Sequence, residues 1–428
     1  MTEPLQRIGK YEVKKKLGEG ATSEVYLCDD PFNNREVAVK VVFEDRLEQS
    51  DDGRLTRKLF ITEASLAGKL NHPHIVQIFD AVVGDDLSYI VMEYVPGGTL
   101  EHFCNKDELL PIDKIVEIIF KCSRALDCAH SLGVTHRDIK PANILVIDGT
   151  DIKISDFGAA LMSTGDQTQV SGIGSPAYMS PQQIKDHPLD HRTDIYSLGV
   201  VMFQLLTGQL PFQASNNYSM MYQITNVEPP LASSIRKEVP LVVDKIVRKA
   251  MQKDLDWRYD TWDEFSHDLA DAFCDQHPSN EAREVADSEK FSIMRDLAFF
   301  EKFSDAQLWE VIRISTWDWL PAEHLIMRDG DEGNFFCVLA QGEVKVTKRK
   351  KLLNVLSPGE CFGEMAYLAR VGNERSADVS TMGNSLVIRI PTEALDAASD
   401  SCRHRFDKAF MEILVERLAL ANTRLTAV

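Results

Sequence analysis

The chain divides by the spacing of its apolar positions. Tyr11 to Leu17 forms a first short run, and a glycine-rich turn from Gly18 to Ser23 opens onto Val25. Val37-Ala38-Val39-Lys40 follows. The spacing predicts three strands across residues 11 to 42. Residues 54 to 70 read as a helix that stops before Asn71-His72-Pro73. Tyr89 to Val95 reads as a strand ending at Pro96-Gly97-Gly98. Near residue 100 the period changes from strand to helix. Apolar residues at 112, 115, 116, 119, 122, 126 and 129 share one helical face, and Gly133 follows as a stop. Ile195 to Leu206 is apolar throughout, too short to cross a membrane, and reads as a buried core helix.

Between these helices lie two short apolar runs, Ile144 to Ile147 and Ile152 to Ile154, on either side of Asp148-Gly149. That is a hairpin signal. A hairpin brings its ends together, so Asn143 before it and Asp156 after it meet. An amide oxygen beside a carboxylate is hard-oxygen ligation suited to Mg²⁺. Asp138 lies on the loop entering the hairpin, placed to accept a proton from a hydroxyl beside that metal.

Residues 275 to 290 are polar, mostly acidic and without an apolar period, which predicts a linker with room for some helix. From Trp317 to Ile390 short alternating runs are broken by glycines, which predicts a small antiparallel barrel or roll. Within it, Gly363 and Glu364 precede Arg375 and Ser376. A glycine at a helix start offers N–H groups to an anion, and an arginine binds phosphate with parallel bonds. Glu364 can accept from a ribose hydroxyl. Further on, Phe406, Phe410, Ile413 and Leu414 are placed on one helical face.

Composition narrows the class. A chain of 428 residues is too long for one ordinary core and implies two or three domains. The net charge of -19 argues against nucleic acid as a main partner. The eight cysteines include no C-x-x-C pair, which disfavours disulfide scaffolds and zinc ribbons and suits a reducing cytoplasm. Met1 to Lys10 has no apolar signal region and no run is long enough for a membrane span, so no membrane partner is expected.

His136-Arg137-Asp138-Ile139-Lys140-Pro141-Ala142-Asn143 with Asp156-Phe157-Gly158 resembles the catalytic and metal loops of eukaryotic-type protein kinases. The resemblance implies that Asp138 is the catalytic base and that Lys140 completes the Ser/Thr form of the loop. It implies that Asn143 and Asp156 hold Mg²⁺ on the phosphates of ATP. The segment Leu17, Gly18, Glu19, Gly20 and Ser23 is similar to the kinase phosphate loop, with Ser23 where a third glycine often stands. By the same resemblance Lys40 contacts the phosphates and Glu63 fixes its head group. The backbone of Glu93 and Val95 bonds adenine beside Met92, while Val25, Ala38 and Leu145 sandwich the ring. Thr168 or Ser171 in the segment 159 to 182 would carry an activating phosphate that pairs with Arg137. Asp194 would cap the central helix and hold the catalytic loop. Gln182 stands where the family has a glutamate facing an arginine, here Arg258, which weakens that anchor by about 1 kcal/mol. The run from Gly174 to Gln183 is similar to bacterial members.

Gly363-Glu364-Met365-Ala366-Tyr367-Leu368 with Glu374-Arg375-Ser376-Ala377 resembles the phosphate-binding cassette of cyclic-nucleotide-binding domains. Eleven positions separate Glu364 from Arg375, slightly more than in many members. In that family the last helix closes over the nucleotide or pairs with another subunit; simple packing on the roll is the alternative, and a homodimer stays open.

The expected fold is multidomain α+β: a bilobal kinase over 11–272, a linker over 273–290, and a mainly-β nucleotide-binding roll with flanking helices over 291–428. The expected activity is γ-phosphoryl transfer from Mg-ATP to Ser/Thr hydroxyls of protein substrates, regulated by cAMP or cGMP. Two alternatives are a constitutive kinase whose roll is an interaction module, and a pseudokinase scaffold that senses cyclic nucleotide.

Overall fold

The computed structural model describes residues 6–19, 23–43, 60–66, 68–84, 87–157, 161–162, 176–276, 285–368 and 374–426. Gly20, Thr168 and Ser171 lie outside the described residues. The chain forms two compact units, Met1–Asp275 and Gln276–Val428.

The first unit begins with six strands: β1 Arg7–Ile8, β2 Tyr11–Glu19, β3 Ser23–Asp30, β4 Arg35–Phe43, β5 Ile78–Val82 and β6 Leu87–Glu93. They pair antiparallel in the order β1-β2-β3-β4-β6-β5. The two-residue strand period sorts β4 cleanly. Val37, Val39 and Val41 enter one core cluster with Tyr11 and Cys28. Ala38 and Val42 enter another with Phe60 and Met92. Lys40 therefore shares the second face, the face that meets the helical stretch 60–65. Of the helix expected over 54 to 70, residues 60–65 are helical, 66, 68 and 69 form turns, and 54–59 lie outside the described residues.

Helices make up most of the rest. Ile112–Ser131 buries Ile115, Ile119, Cys122 and Leu126, as its apolar period predicts. It stops at Gly133, whose φ of +75° suits glycine and whose N–H donates to the His130 carbonyl at 2.8 Å. The short strand β7 Val134–Thr135 leads to the catalytic-type loop. The hairpin of β8 Ile144–Asp148 and β9 Asp151–Ile154 follows. Ile144 faces Ile154 and Asp148 faces Asp151. Asp148 thus ends its strand, and the tip is Gly149-Thr150, with the positive φ taken by Gly149. β10 Leu161–Met162 returns to pair with β7. The helix Arg192–Thr207 is buried along nearly its whole length, which its uninterrupted apolar run requires.

Asp194 corrects one expectation. It does not cap that helix: His191 is the N-cap residue, without a side-chain cap bond, and Asp194 sits in the first turn. Its carboxylate turns outward to the loop at 136–137.

The second unit is a roll flanked by helices. Helix Trp262–Gln276 ends the first unit and helix Asp287–Asp296 belongs to the second, and each reaches into one end of the stretch read as a linker. Helix Asp305–Ile314 follows, opened by a reciprocal Ser304–Gln307 capping box. The strands are β11 Thr316–Leu320, β12 Leu325–Met327, β13 Phe335–Gln341, β14 Val344–Lys348, β15 Lys351–Leu356, β16 Cys361–Phe362, β17 Asp378–Thr381 and β18 Ser385–Pro391. They form two four-stranded sheets, β11-β18-β13-β16 and β12-β17-β14-β15. Met327, Leu339, Leu356, Phe362 and Val379 share the core between them.

Helix Asp400–Thr426 lays Phe406 and Phe410, both fully buried, on Phe336, with ring centroids 5.6 and 5.0 Å away. The expected stripe is corrected at its far end. Ile413 is half-buried and Leu414 is 37% exposed. Leu414 lies one turn past the aromatic cluster, so it has left the roll. In this unit the helix packs on the roll.

Arg258 is 3% exposed, and among the described residues no carboxylate is hydrogen-bonded to its guanidinium. It donates to the carbonyls of Gln252 (2.6 and 2.9 Å) and Arg192 (2.9 Å), and at 3.0 Å to Gln182 Oε1. Gln182 Nε2 donates to the Lys253 carbonyl at 2.9 Å. Burial pushes the Arg258 pKa down to about 10. Beside it the Lys253 ammonium has no hydrogen-bond partner among the described residues and stands 4.3 Å over the Phe212 ring. Burial pushes its pKa down to about 8 from 10.5. Between those values the unfolded chain binds the extra proton, so stability rises with pH through that window. Lys253→Met keeps the stem and removes the buried charge. At pH 7 the kinase unit should melt about 2–4 °C higher. Calorimetry between pH 8 and 10 should show the parent's alkaline gain flattened in the variant.

Candidate functional site

The first site is assembled where the hairpin, the loop before it and β4 converge. His136 organises the loop. It is fully buried and packs on Phe157 with centroids 4.5 Å apart. The Asp138 N–H donates to its Nδ1 at 3.3 Å, and its Nε2 lies 2.9 Å from the Ser155 carbonyl. One tautomer, with hydrogen on Nε2, satisfies both contacts. His136 therefore ties the residue before Asp156 to Asp138. Asp194 holds the same loop from the other side, accepting from the N–H groups of His136 and Arg137, both at 2.7 Å. Gln183 Nε2 donates to the Arg137 carbonyl at 2.9 Å. These bonds hold Arg137 at a φ of +70°, and Asp156 itself takes +60°. Two non-glycine residues in the left-handed region at one site are strain that the surrounding bonds over-determine.

The hairpin brings Asn143 beside Ser155, the residue before Asp156. Ser155 N–H donates to the Asn143 carbonyl at 2.9 Å. Asn143 Nδ2 donates to the Asp138 carbonyl at 2.8 Å and to its Oδ2 at 3.1 Å, which leaves its own Oδ1 for a cation. Lys140 Nζ lies 2.7 Å from Asp138 Oδ2. One carboxylate, one amide oxygen and room for phosphate and water suit Mg²⁺, which keeps several non-protein ligands. Among the described residues no cluster of three or more histidine, cysteine or acidic groups could hold a metal by itself.

Lys40 Nζ sits 2.9 Å from Glu63 Oε2 and 2.5 Å from Asp156 Oδ1. Burial works against the ammonium, but Asp156 and Glu63 outweigh it and hold its pKa above the ordinary value. Lys40 in turn holds the Asp156 carboxyl below the usual range. Burial pushes the Glu63 carboxyl up against the pull of Lys40. The ammonium is charged and oriented, with two anions around it.

An apolar slot adjoins this triad. Ala38 and Met92 belong to one core cluster, against which half-buried Val25, Val95 and Leu145 pack. The Glu93 N–H is taken by the Gln77 carbonyl at 2.9 Å, and the Glu93 carboxylate by Lys153 at 2.8 Å. Gly97 passes so close to β8 that an added Cβ would lie 2.2 Å from the Val146 carbonyl oxygen. Leu17, Gly18 and Glu19 end β2 as exposed residues, and Glu19 is paired with Lys16 at 2.6 Å. Ser23 begins β3. The roles of His136 and Lys153 escaped the sequence reading, because a buried polar residue carries no periodic signal.

The second site lies in the roll. Gly363, Glu364, Arg375 and Ser376 all line one cavity of about 250 Å³. Arg375 is 6% exposed. Its backbone is clamped to β12's exit: Arg375 N–H donates to the Asp331 carbonyl (2.7 Å) and its own carbonyl accepts from Gly330 (2.8 Å). Its guanidinium donates to the carbonyls of Gly363 (3.0 Å) and Phe335 (2.6 Å) and stacks 4.6 Å from the Phe335 ring. Gly363 takes a φ of +80°, and a Cβ there would stand 2.5 Å from Met327 Cε and 2.7 Å from Arg375 Nη1. Glycine is required for the arginine to reach its place. Glu364 is buried at the start of the short helix Glu364–Leu368.

Comparison with known proteins agrees with this geometry. Residues 11–269 match the family model described as a protein kinase domain, and residues 317–401 match the cyclic nucleotide-binding domain. The chain is 38% identical over 277 residues to the serine/threonine-protein kinase PrkC of Bacillus subtilis, covering 64% of this chain and 42% of that protein. It is 36% identical over 302 residues to the serine/threonine-protein kinase PknB of Mycolicibacterium smegmatis, covering 69% of this chain and 48% of the relative. The chain thus spans less than half the length of these relatives. Among the described residues no helix is long and apolar enough to cross a membrane. With 11–269 accounting for more than half of its residues, the chain belongs to the protein kinase family, and a cyclic-nucleotide-binding domain follows its kinase domain.

Proposed function

We propose that this chain transfers the γ-phosphate of Mg-ATP to Ser or Thr hydroxyls of protein substrates, at a rate set by a cyclic nucleotide bound in the roll. The observation that carries the first half is the convergence of Lys40, Glu63, Asp138, Asn143 and Asp156 at one end of the hairpin. Asp138 accepts and orients the acceptor hydroxyl. Lys140, 2.7 Å from it, stands where it can share the charge that develops on the transferred group. Lys40 takes the α- and β-phosphates, exchanging its contact with Asp156 for theirs while Glu63 keeps it in place. Asn143 and Asp156 would hold Mg²⁺ through their oxygens, and the ion would neutralise phosphate charge. Val25, Ala38, Val95 and Leu145 exclude water from the adenine face, with the backbone of Glu93 and Val95 along its edge. Autophosphorylation at Thr168 or Ser171 would order the activation segment through Arg137. The free cysteines among the described residues fit a reducing cytoplasm.

The second half rests on Arg375. A buried guanidinium at the wall of a cavity that Gly363 and Glu364 also line supports a phosphate site. Either cAMP or cGMP meets its charge and its ribose partner Glu364. A ligand shifts the rate only through its different affinity for two states of the chain.

Two measurements test the halves separately. Asp138→Asn keeps the loop's shape and removes the proton acceptor, so radiolabel transfer should fall at least about a hundredfold while ATP still binds. Undiminished transfer would refute the assignment. For the roll, transfer is followed with and without cAMP or cGMP in the parent and in Arg375→Ala. The parent's rate should change with nucleotide and the variant's should not; equal indifference in both leaves the roll without its proposed ligand.

A further inference from the structure

The phosphate end of the roll's cavity explains how an anion would be held but says nothing of the base. The opposite character is found on its strand wall. Met327, Val346, Leu356 and Val379 give that wall an apolar surface, fit for the flat face of a purine. A single polar side chain interrupts it, Asn354 of β15, directly opposite Val346 of β14 in the sheet register. Strand alternation places Asn354 on the same face as buried Leu356, two positions on. Its side chain has no intramolecular partner among the described residues, whereas Arg375 is engaged with two carbonyls. At this open lining position the asparagine amide presents a donor and an acceptor to the ligand space.

We infer that Asn354 reads the edge of the base and makes the roll selective for an adenine over a guanine cyclic nucleotide. The inference rests on the cyclic-nucleotide reading above and names the ligand within it. An asparagine amide accepts from the N6 amino group of adenine and donates to N7, a matched pair. On the same edge guanine presents two acceptors, O6 and N7, so the amide oxygen is left facing another oxygen. Arg375 and Glu364 touch groups common to both nucleotides and carry no such preference.

The test is equilibrium calorimetry on the full chain with cAMP and with cGMP, for the parent, Asn354→Ala, Asn354→Thr and Arg375→Ala. The parent should bind cAMP about tenfold more tightly than cGMP. Both Asn354 variants should lose most of that ratio, chiefly by weakening cAMP, and Arg375→Ala should weaken both ligands alike. Asn354 is exposed on an edge strand, so folding is not at stake, and an unchanged melting temperature checks it. A ratio that survives in both Asn354 variants, or a parent that prefers cGMP, overturns the base contact and leaves the cyclic-nucleotide reading standing. A parent that binds neither nucleotide overturns both.

Discussion

One buried carboxylate carries the geometry of the kinase site. Asp194 is 2% exposed and spends both oxygens on the N–H groups of consecutive residues, His136 and Arg137. Consecutive N–H groups converge on one acceptor only when the chain turns sharply between them, and here Arg137 takes a left-handed φ to do so. Burial raises the carboxyl's pKa despite the two bonds and the nearby positive charge. The arrangement is thus a costly one, stable only because helix Arg192–Thr207 is itself locked in the core. That anchor fixes the loop to the helical core, while His136 and Asn143 fix Asp138 to the hairpin.

From this anchor the site grows by short steps. His136 passes the constraint to Ser155, Ser155 passes it to Asn143, and Asn143 reaches back to Asp138. The loop and both hairpin ends become one closed network of hydrogen bonds in a buried setting, where such bonds are strong and a missing member is expensive. Lys40 then joins the network to the sheet through Asp156, and Glu63 joins it to the helical stretch 60–65. Three stretches far apart in sequence, β4, residues 60–65 and the end of the hairpin, are thus joined through the two ion pairs of Lys40.

Much of this was legible beforehand, for a physical reason. The hairpin follows from two β-branched runs around a glycine, and the approach of Asn143 to Ser155, next to Asp156, follows from the hairpin. Lys40 was reached through the family resemblance alone, and strand alternation in β4 accounts for the face it takes in the structure. What was not legible was polar and buried. The resemblance gave Asp194 both a cap and a loop-holding role; the loop role holds and the cap role does not, because periodicity does not say whether an acidic residue near a helix start sits at the cap or inside the first turn. The tip of the hairpin shifted by one residue because Asp148 could still pair with Asp151. Leu414 was assigned to a packed face because the period continues after the roll has ended.

The roll presents the opposite balance, a site whose cation already has partners. Arg375 spends its terminal nitrogens on the carbonyls of Gly363 and Phe335. A guanidinium carries more N–H donors than these two bonds consume, so an anion can be met without breaking them. The carbonyl bonds then serve to aim the fork at the cavity, and Phe335 supports its flat face with Arg389 on the ring at 4.7 Å. Gly363 is needed twice in this scheme. It supplies a carbonyl that fixes the guanidinium, and it lacks the Cβ that would displace it. Preorganisation of this kind lowers the entropy lost on binding, which is where a small ligand with few contacts gains most of its affinity.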